Sequence, residues 1–350
     1  MNNLANWYYS REDTEKNLRN AFILYKIAVK NGFKETMFNL ANKYRNGKGA
    51  EKNLEKAFYW YQKAAENGFK DAMFNLAICY ENGKGTENNL EKAFYWYQKA
   101  AENGFKDAMN NLAICYENGK GTENNLEKAF YWYQKAAENG FKDAMFNLAI
   151  CYENGKGTEK NLEKAFHWYQ KAAENGNGSA MFILAGSYYN RKKTEKNLKK
   201  AFYWCQKAAE NGIKEAMFNL GSSYYNGEGT EKNFENAFYW CQKAAKEGHI
   251  IAMYNVAIHY ENGNGTEKNL EKAFFWYQNA AVSGNTKAMF NLANCYYDGK
   301  GTRRNFAVAF YWYHEAAVNG DERAMDILAN IYINKKEIDK NSVKPFCLLQ

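Results

Sequence analysis

Four histidines, seven cysteines and a recurring Gly-Lys-Gly-Thr are the residues of this chain equipped for chemistry. Histidine and cysteine serve metal ligation, proton transfer and nucleophilic attack, and a lysine between glycines can cradle a phosphate. None of them stands at the spacing its chemistry needs. His167, His249, His259 and His314 lack a paired carboxylate or cysteine at metal-ligand spacing, which favours structural or surface roles. Gly-Lys-Gly-Thr lacks the Gly-x-x-x-x-Gly-Lys-Ser/Thr pattern and follows no strand, so nucleotide binding is rejected. No nucleophile elbow or kinase motif set is present. The expectation is a protein that is no enzyme, with no cofactor, no metal and no small-molecule substrate.

The elements that carry these residues follow a fixed period. Tryptophan recurs at 60, 96, 132, 168, 204, 240, 276 and 312, always 36 residues apart. Ala57, Phe58, Gly68, Met73 and Tyr80 recur in the same register through nine copies. Such a period denotes stacked identical units. In one unit Ala72, Met73, Leu76, Ala77 and Tyr80 form an apolar stripe of helical period, which ends at Asn82-Gly83. Asn89 then suits the N-cap of a second helix, as do its counterparts from Asn17 to Asn341. That helix offers Leu90, Ala93, Phe94, Trp96, Tyr97, Ala100 and Ala101 for burial, with Phe94 and Trp96 filling space between repeats, and Gly104 ends it. Helices this short are marginal alone, so stacking must stabilise them. The predicted fold is all-α, an α/α solenoid superhelix of 36-residue helix-turn-helix repeats in one continuous array over 1–350. Residues 1–16 form a partial first unit, 17–340 nine repeats and 341–350 a partial last unit, where Pro345 should disturb the terminal helix. No polar cap closes either end, which suggests a piece of a longer array and leaves end-to-end self-association open.

The net charge of +8 arises from 47 basic and 39 acidic residues, mostly interleaved. This disfavours nucleic acid as the partner. The run 191–200, RKKTEKNLKK, is the local exception and would attract an acidic partner or a membrane surface. Cys79, Cys115, Cys151 and Cys295 share one repeat position, and Cys205 and Cys241 share another. No repeat carries both, so reduced thiols and a cytoplasmic location are expected. Neither a secretory signal nor a membrane span is expected.

Ala-Met-x-x-Leu-Ala-x-x-Tyr, Asn-Gly-Lys-Gly-Thr and Lys-Ala-x-x-Trp-Tyr-x-x-Ala-Ala-x-x-Gly together resemble the Sel-1-like repeat, a relative of the tetratricopeptide repeat. The resemblance covers essentially the whole chain. It departs at Leu24, which replaces tryptophan, and at Arg191, Lys193, Lys335 and Glu337, which replace loop glycines. It implies an adaptor or scaffold, in signalling among other settings, whose first helices line a concave groove for a partner protein or extended peptide. The alternative is an RNA reader of pentatricopeptide type, which has a similar period. The mixed charge and near-identical copies speak against that alternative.

Positions 71, 74, 75, 78 and 81 share the first-helix face opposite the core, and the copies diverge there while the core barely varies. Divergence is greatest in 177–333. The candidate partner-binding residues are therefore Tyr189, Phe218, Tyr225, Tyr254, Phe290 and Tyr297, with Asn219, Asn255 and Asn291 as amide partners for a peptide backbone. Arg191, Lys192 and Lys193 add positive charge. Segments 53–87 and 125–159 are identical and cannot by themselves recognise a non-repetitive ligand. Deleting one 36-residue copy within 53–159 is predicted to leave partner choice unchanged in a binding assay; loss of the partner would place specificity in that half.

Overall fold

The computed structural model describes Trp7, residues 15–190 and residues 194–341. Among the described residues there are eighteen α-helices and no strand. The fold is an all-α solenoid of paired helices. By its contacts the chain divides into two compact units, Met1–Ala180 and Met181–Gln350.

Each helix has identifiable start and stop signals. Lys70–Asn82 carries Asp71 in its first turn and ends at Gly83, whose φ of 64° is left-handed and whose N–H donates to the Cys79 carbonyl. The next helix, Leu90–Glu102, begins where Oδ1 of Asn89 accepts from the Lys92 N–H at 2.8 Å. It closes when the N–H groups of Gly104 and Phe105 donate to the carbonyls of Ala101 and Ala100. Gly85, in the loop between the two helices, is required for a different reason. With φ at 75°, a Cβ there would lie 2.1 Å from the Leu54 carbonyl oxygen of the preceding repeat. The loop is thus seated directly on its neighbour's backbone, and only glycine fits.

The interior is built from alanines and, in most repeats, a large ring at the centre. Ala72, Ala77, Ala93, Ala100 and Leu76 are essentially fully buried, so the helices approach closely. The large residue at the centre is Tyr97, 1% exposed, together with its counterparts Tyr61, Tyr133 and Tyr277. The tryptophans mark the period but are only half-buried, each packed edge-on against a neighbour such as Tyr95. Phe58 meets Tyr80 of the following repeat edge-to-face at 5.2 Å.

Three details differ from the sequence reading. Leu90 is 40% exposed as the first residue of its helix, as are its counterparts Leu126 and Leu162. In the fifth copy the helix Glu195–Glu210 starts earlier, capped by Thr194, so Asn197 lies within its first turn. Glu322–Asn341 runs unbroken through the place where other copies turn, so Asn341 is not a cap; Lys335 and Glu337 stand there where others have glycine, and nothing stops the helix. Most of the expected partial units at 1–16 and 341–350, with Pro345, lies outside the described residues.

Gly85→Ala is expected to destabilise the protein by about 2–4 kcal/mol in denaturant unfolding, from backbone strain and collision together. Gly104→Ala, with φ at 78° but nothing within 4 Å of the new methyl, should cost only about 1–2 kcal/mol.

Candidate functional site

In most repeats the divergent stripe is organised by a buried tyrosine. Tyr97 donates its hydroxyl hydrogen to Oε2 of Glu81 at 2.6 Å, across the helix pair. Tyr133 does the same with Glu117, Tyr169 with Glu153 and Tyr277 with Glu261. Where position 81 carries Arg45 or Tyr297, the acceptor moves one turn back: Tyr61 donates to Asn42 and Tyr313 to Asn294, each at 2.6 Å. Burial, then hydrogen bonding to the carboxylate, pushes the Tyr97 phenol far above its ordinary pKa, so it stays a donor. The acceptor also reaches forward. Lys156, on the next repeat's loop, pairs with Oε1 of Glu117 at 2.7 Å. Burial raises the Glu117 pKa, but the hydrogen bonds from Lys156 and Tyr133 and the Lys156 charge outweigh it, and the net shift is downward.

Two repeats break this pattern together. Cys205 and Cys241 stand where others have the tyrosine, Tyr189 and Tyr225 where others have the acceptor, and Gly186 and Ser222 where others have isoleucine or asparagine. The loop residue changes too, to Glu228 and Asn264 where Lys120 and Lys156 stand elsewhere. No phenol is buried there, so no acceptor is needed. The sequence reading took the stripe as diverging over a nearly constant core and did not connect it with the core cysteines. The available signal was joint change at offsets of 16 and 39 residues, linking Glu81 to Tyr97 and to Lys120.

The candidate residues divide into two sets. Phe218, Tyr254 and Phe290 are half-buried, each against a ring or guanidinium supplied by a following helix. Phe218 stacks on His249 with ring centroids 4.6 Å apart, Tyr254 lies beside Tyr277, and the Arg323 guanidinium sits 4.0 Å over Phe290. Tyr189, Tyr225 and Tyr297 are 36%, 42% and 48% exposed. Tyr225 and Tyr297 each lean edge-on against an aromatic of the next helix, Phe234 and Phe306. Asn219 is exposed, and Asn255 and Asn291 are half-buried, Asn291 lying near the hydroxyls of Tyr254 and Tyr277. In the first unit, Asn75 donates to the Asp71 carbonyl and Asn147 to Asn110, so part of the asparagine row is engaged within the chain. Arg191, Lys192 and Lys193 lie outside the described residues.

The other chemical candidates are engaged in packing and capping. His249 caps Ile250–Asn262, its Nδ1 accepting from the Ala252 N–H, and His259 donates through Nδ1 to the Asn264 carbonyl at 2.7 Å. Burial lowers the pKa of both. The six described cysteines are buried free thiols, and burial pushes Cys205 and Cys241 up to about 12. Among the described residues no group of three His, Cys, Asp or Glu side chains is placed to hold a metal ion. No helix there is long and apolar enough to cross a membrane.

Paired helices, a glycine loop seated on the preceding repeat and a side-chain link to the following one define a helical-repeat protein. Its copies, at 1–33, 34–69, 70–105, 106–141, 142–177, 178–213, 214–249, 250–285 and 286–321, match the Sel1 repeat, and the chain belongs to the Sel1 repeat family. Sel1 repeat proteins are generally protein-interaction scaffolds. A protective antigen of uropathogenic Escherichia coli with an SLR fold is similar at 29% identity and a TM-score of 0.81, over 89% of this chain and 67% of that one. A Sel1 repeat protein from Oxalobacter formigenes is similar at 26% identity and a TM-score of 0.64, over 88% and 90%. No curated protein matches the sequence.

Glu117 titrates below its ordinary value, so its contribution to stability is complete above the unfolded carboxylate pKa of about 4.3 and is lost as pH falls through the lower folded value. Thermal melts should therefore separate wild type from Glu117→Gln at pH 7 and converge below about pH 4. A gap that persisted at low pH would mean that the carboxylate charge is not what the link uses.

Proposed function

We propose that this protein is a non-catalytic adaptor that holds an extended segment of a partner protein on the first-helix face of its second unit. The observation that carries this reading is the exposure of Tyr189, Tyr225 and Tyr297 on one repeated face that also presents Asn219 and Asn255. Exposed tyrosines supply large contact area at small entropic cost, and the adjacent amides can pair with a peptide backbone. The basic run 191–200 adds charge that favours an acidic segment. The near-identical copies within 53–159 serve as spacer or generic surface. A cytoplasmic location suits six buried free thiols. The comparisons lend no support to an RNA-reading role.

Affinity capture from an extract of the source cells tests this reading, comparing wild type with a Tyr225→Ala, Tyr297→Ala variant. Both rings are partly exposed and lose only edge contacts to Phe234 and Phe306, so the variant should stay folded while losing its protein partner. Retention of the partner by the variant, or nothing above background with wild type, would contradict it.

A further inference from the structure

Both repeats in which cysteine replaces the buried tyrosine hold a cavity on this face. One, of about 290 Å³, is floored by Cys205 and walled by Gly186 and Ser222. The next, of about 310 Å³, is floored by Cys241 and walled by Ser222 and His259. Ser222 and Asn226 line both, so the two slots lie on either side of the helix Lys214–Asn226. Tyr189 stands at the first slot and Tyr225 at the second.

These slots arise from truncation on facing walls. At the first, a tyrosine position has become Cys205 and an isoleucine position Gly186, and a Cβ built on Gly186 would meet nothing within 4 Å. At the second, Cys241 and Ser222 are the small residues. Gly221 lets the Cys241 sulfur close only part of the gap, since a Cβ on Gly221 would lie 2.7 Å from it. Elsewhere in the chain the same space holds a phenol ring whose hydroxyl finds a carboxylate or amide oxygen. Acceptors of that kind line both slots: Glu228 in the first, Asn255 and Asn264 in the second. The shape and the polarity that accommodate tyrosine are retained after the chain's own tyrosine is gone.

We infer that the two slots receive two tyrosine side chains of a partner protein, spaced Tyr-x-x-Tyr on a polyproline-II segment. The inference rests on the scaffold reading above. Neighbouring packed helices lie about 8–10 Å apart, which sets the scale for two slots on either side of one helix. A polyproline-II chain returns to the same face every three residues, after about 9 Å, whereas a β-strand alternates faces and overshoots or falls short. Tyr189 and Tyr225 flank the entering rings and give them aromatic edges to pack against.

The test uses the full chain with two probes: 4-methylphenol, the tyrosine side-chain analogue, and a synthetic Tyr-Pro-Pro-Tyr peptide beside its Ala-Pro-Pro-Ala counterpart. Ligand-observed NMR should show both tyrosine-like probes binding wild type and competing, with no binding of the alanine peptide. Restoring the common repeat residues, Gly186→Ile with Tyr189→Glu and Cys205→Tyr, fills the first slot and should weaken the Tyr-Pro-Pro-Tyr peptide at least about tenfold. Filling the second as well, with Ser222→Ile, Tyr225→Glu and Cys241→Tyr, should abolish binding. Gly186→Leu alone supplies a single-site check if the combined changes disturb folding. Failure of 4-methylphenol to bind wild type, or undiminished binding after filling, overturns the inference. Partner capture by the filled protein separates the two readings: capture at full strength sinks the slots and leaves the scaffold, whereas probe binding without any captured partner does the reverse.

Discussion

A phenol buried between helices must give its hydrogen to an acceptor, and that requirement shapes this molecule more than any other. Leaving such a donor unsatisfied costs about 1–3 kcal/mol, a large part of what one repeat can contribute. Tyr97 meets it through Glu81, Tyr61 through Asn42 and Tyr313 through Asn294. Once a carboxylate is fixed in that place, the following loop can reach it with a lysine, as Lys156 reaches Glu117, and the intra-repeat bond becomes an inter-repeat one. Glycine at the loop's closest approach to the previous backbone completes the coupling.

The stripe on the first helices is therefore not free to vary residue by residue. Glu81, its tyrosine and the loop lysine form one unit, and Tyr189, Cys205 and Glu228 form its replacement. The replacement removes a ring from the interior and puts one at the surface. Interior volume is lost where surface contact area is gained, within the same two repeats. Such an exchange lowers packing in order to present a different face, and a repeat whose only task was stacking has no reason to make it.

Much of the fold was legible because its signals are local. Asn89 before an apolar run, Gly83 and Gly104 after one, and a period of 36 residues specify helix ends and stacking without tertiary knowledge. The tryptophans drew attention by rarity, yet the ring that fills the core is the tyrosine one position later. Helical periodicity leaves both on the apolar arc, and only the neighbour's approach decides between them. The site was less legible for the same reason. Phe218 and Tyr225 look alike in sequence, but Phe218 is covered by His249 from the far end of the same copy, a contact between residues 31 apart that no single-helix pattern displays. The first cavity depends on two truncations on facing helices, Gly186 and Cys205, and each alone reads as ordinary drift.

The central claim is that the buried hydroxyl and its acceptor are energetically one unit. A double-mutant cycle on Glu81→Ala and Tyr97→Phe, followed by denaturant unfolding, measures it directly. A charge-assisted bond in this setting predicts a coupling of about 1.5–3 kcal/mol. Additivity to within about 0.3 kcal/mol would show that the two positions vary independently, and the account built on their linkage would fail.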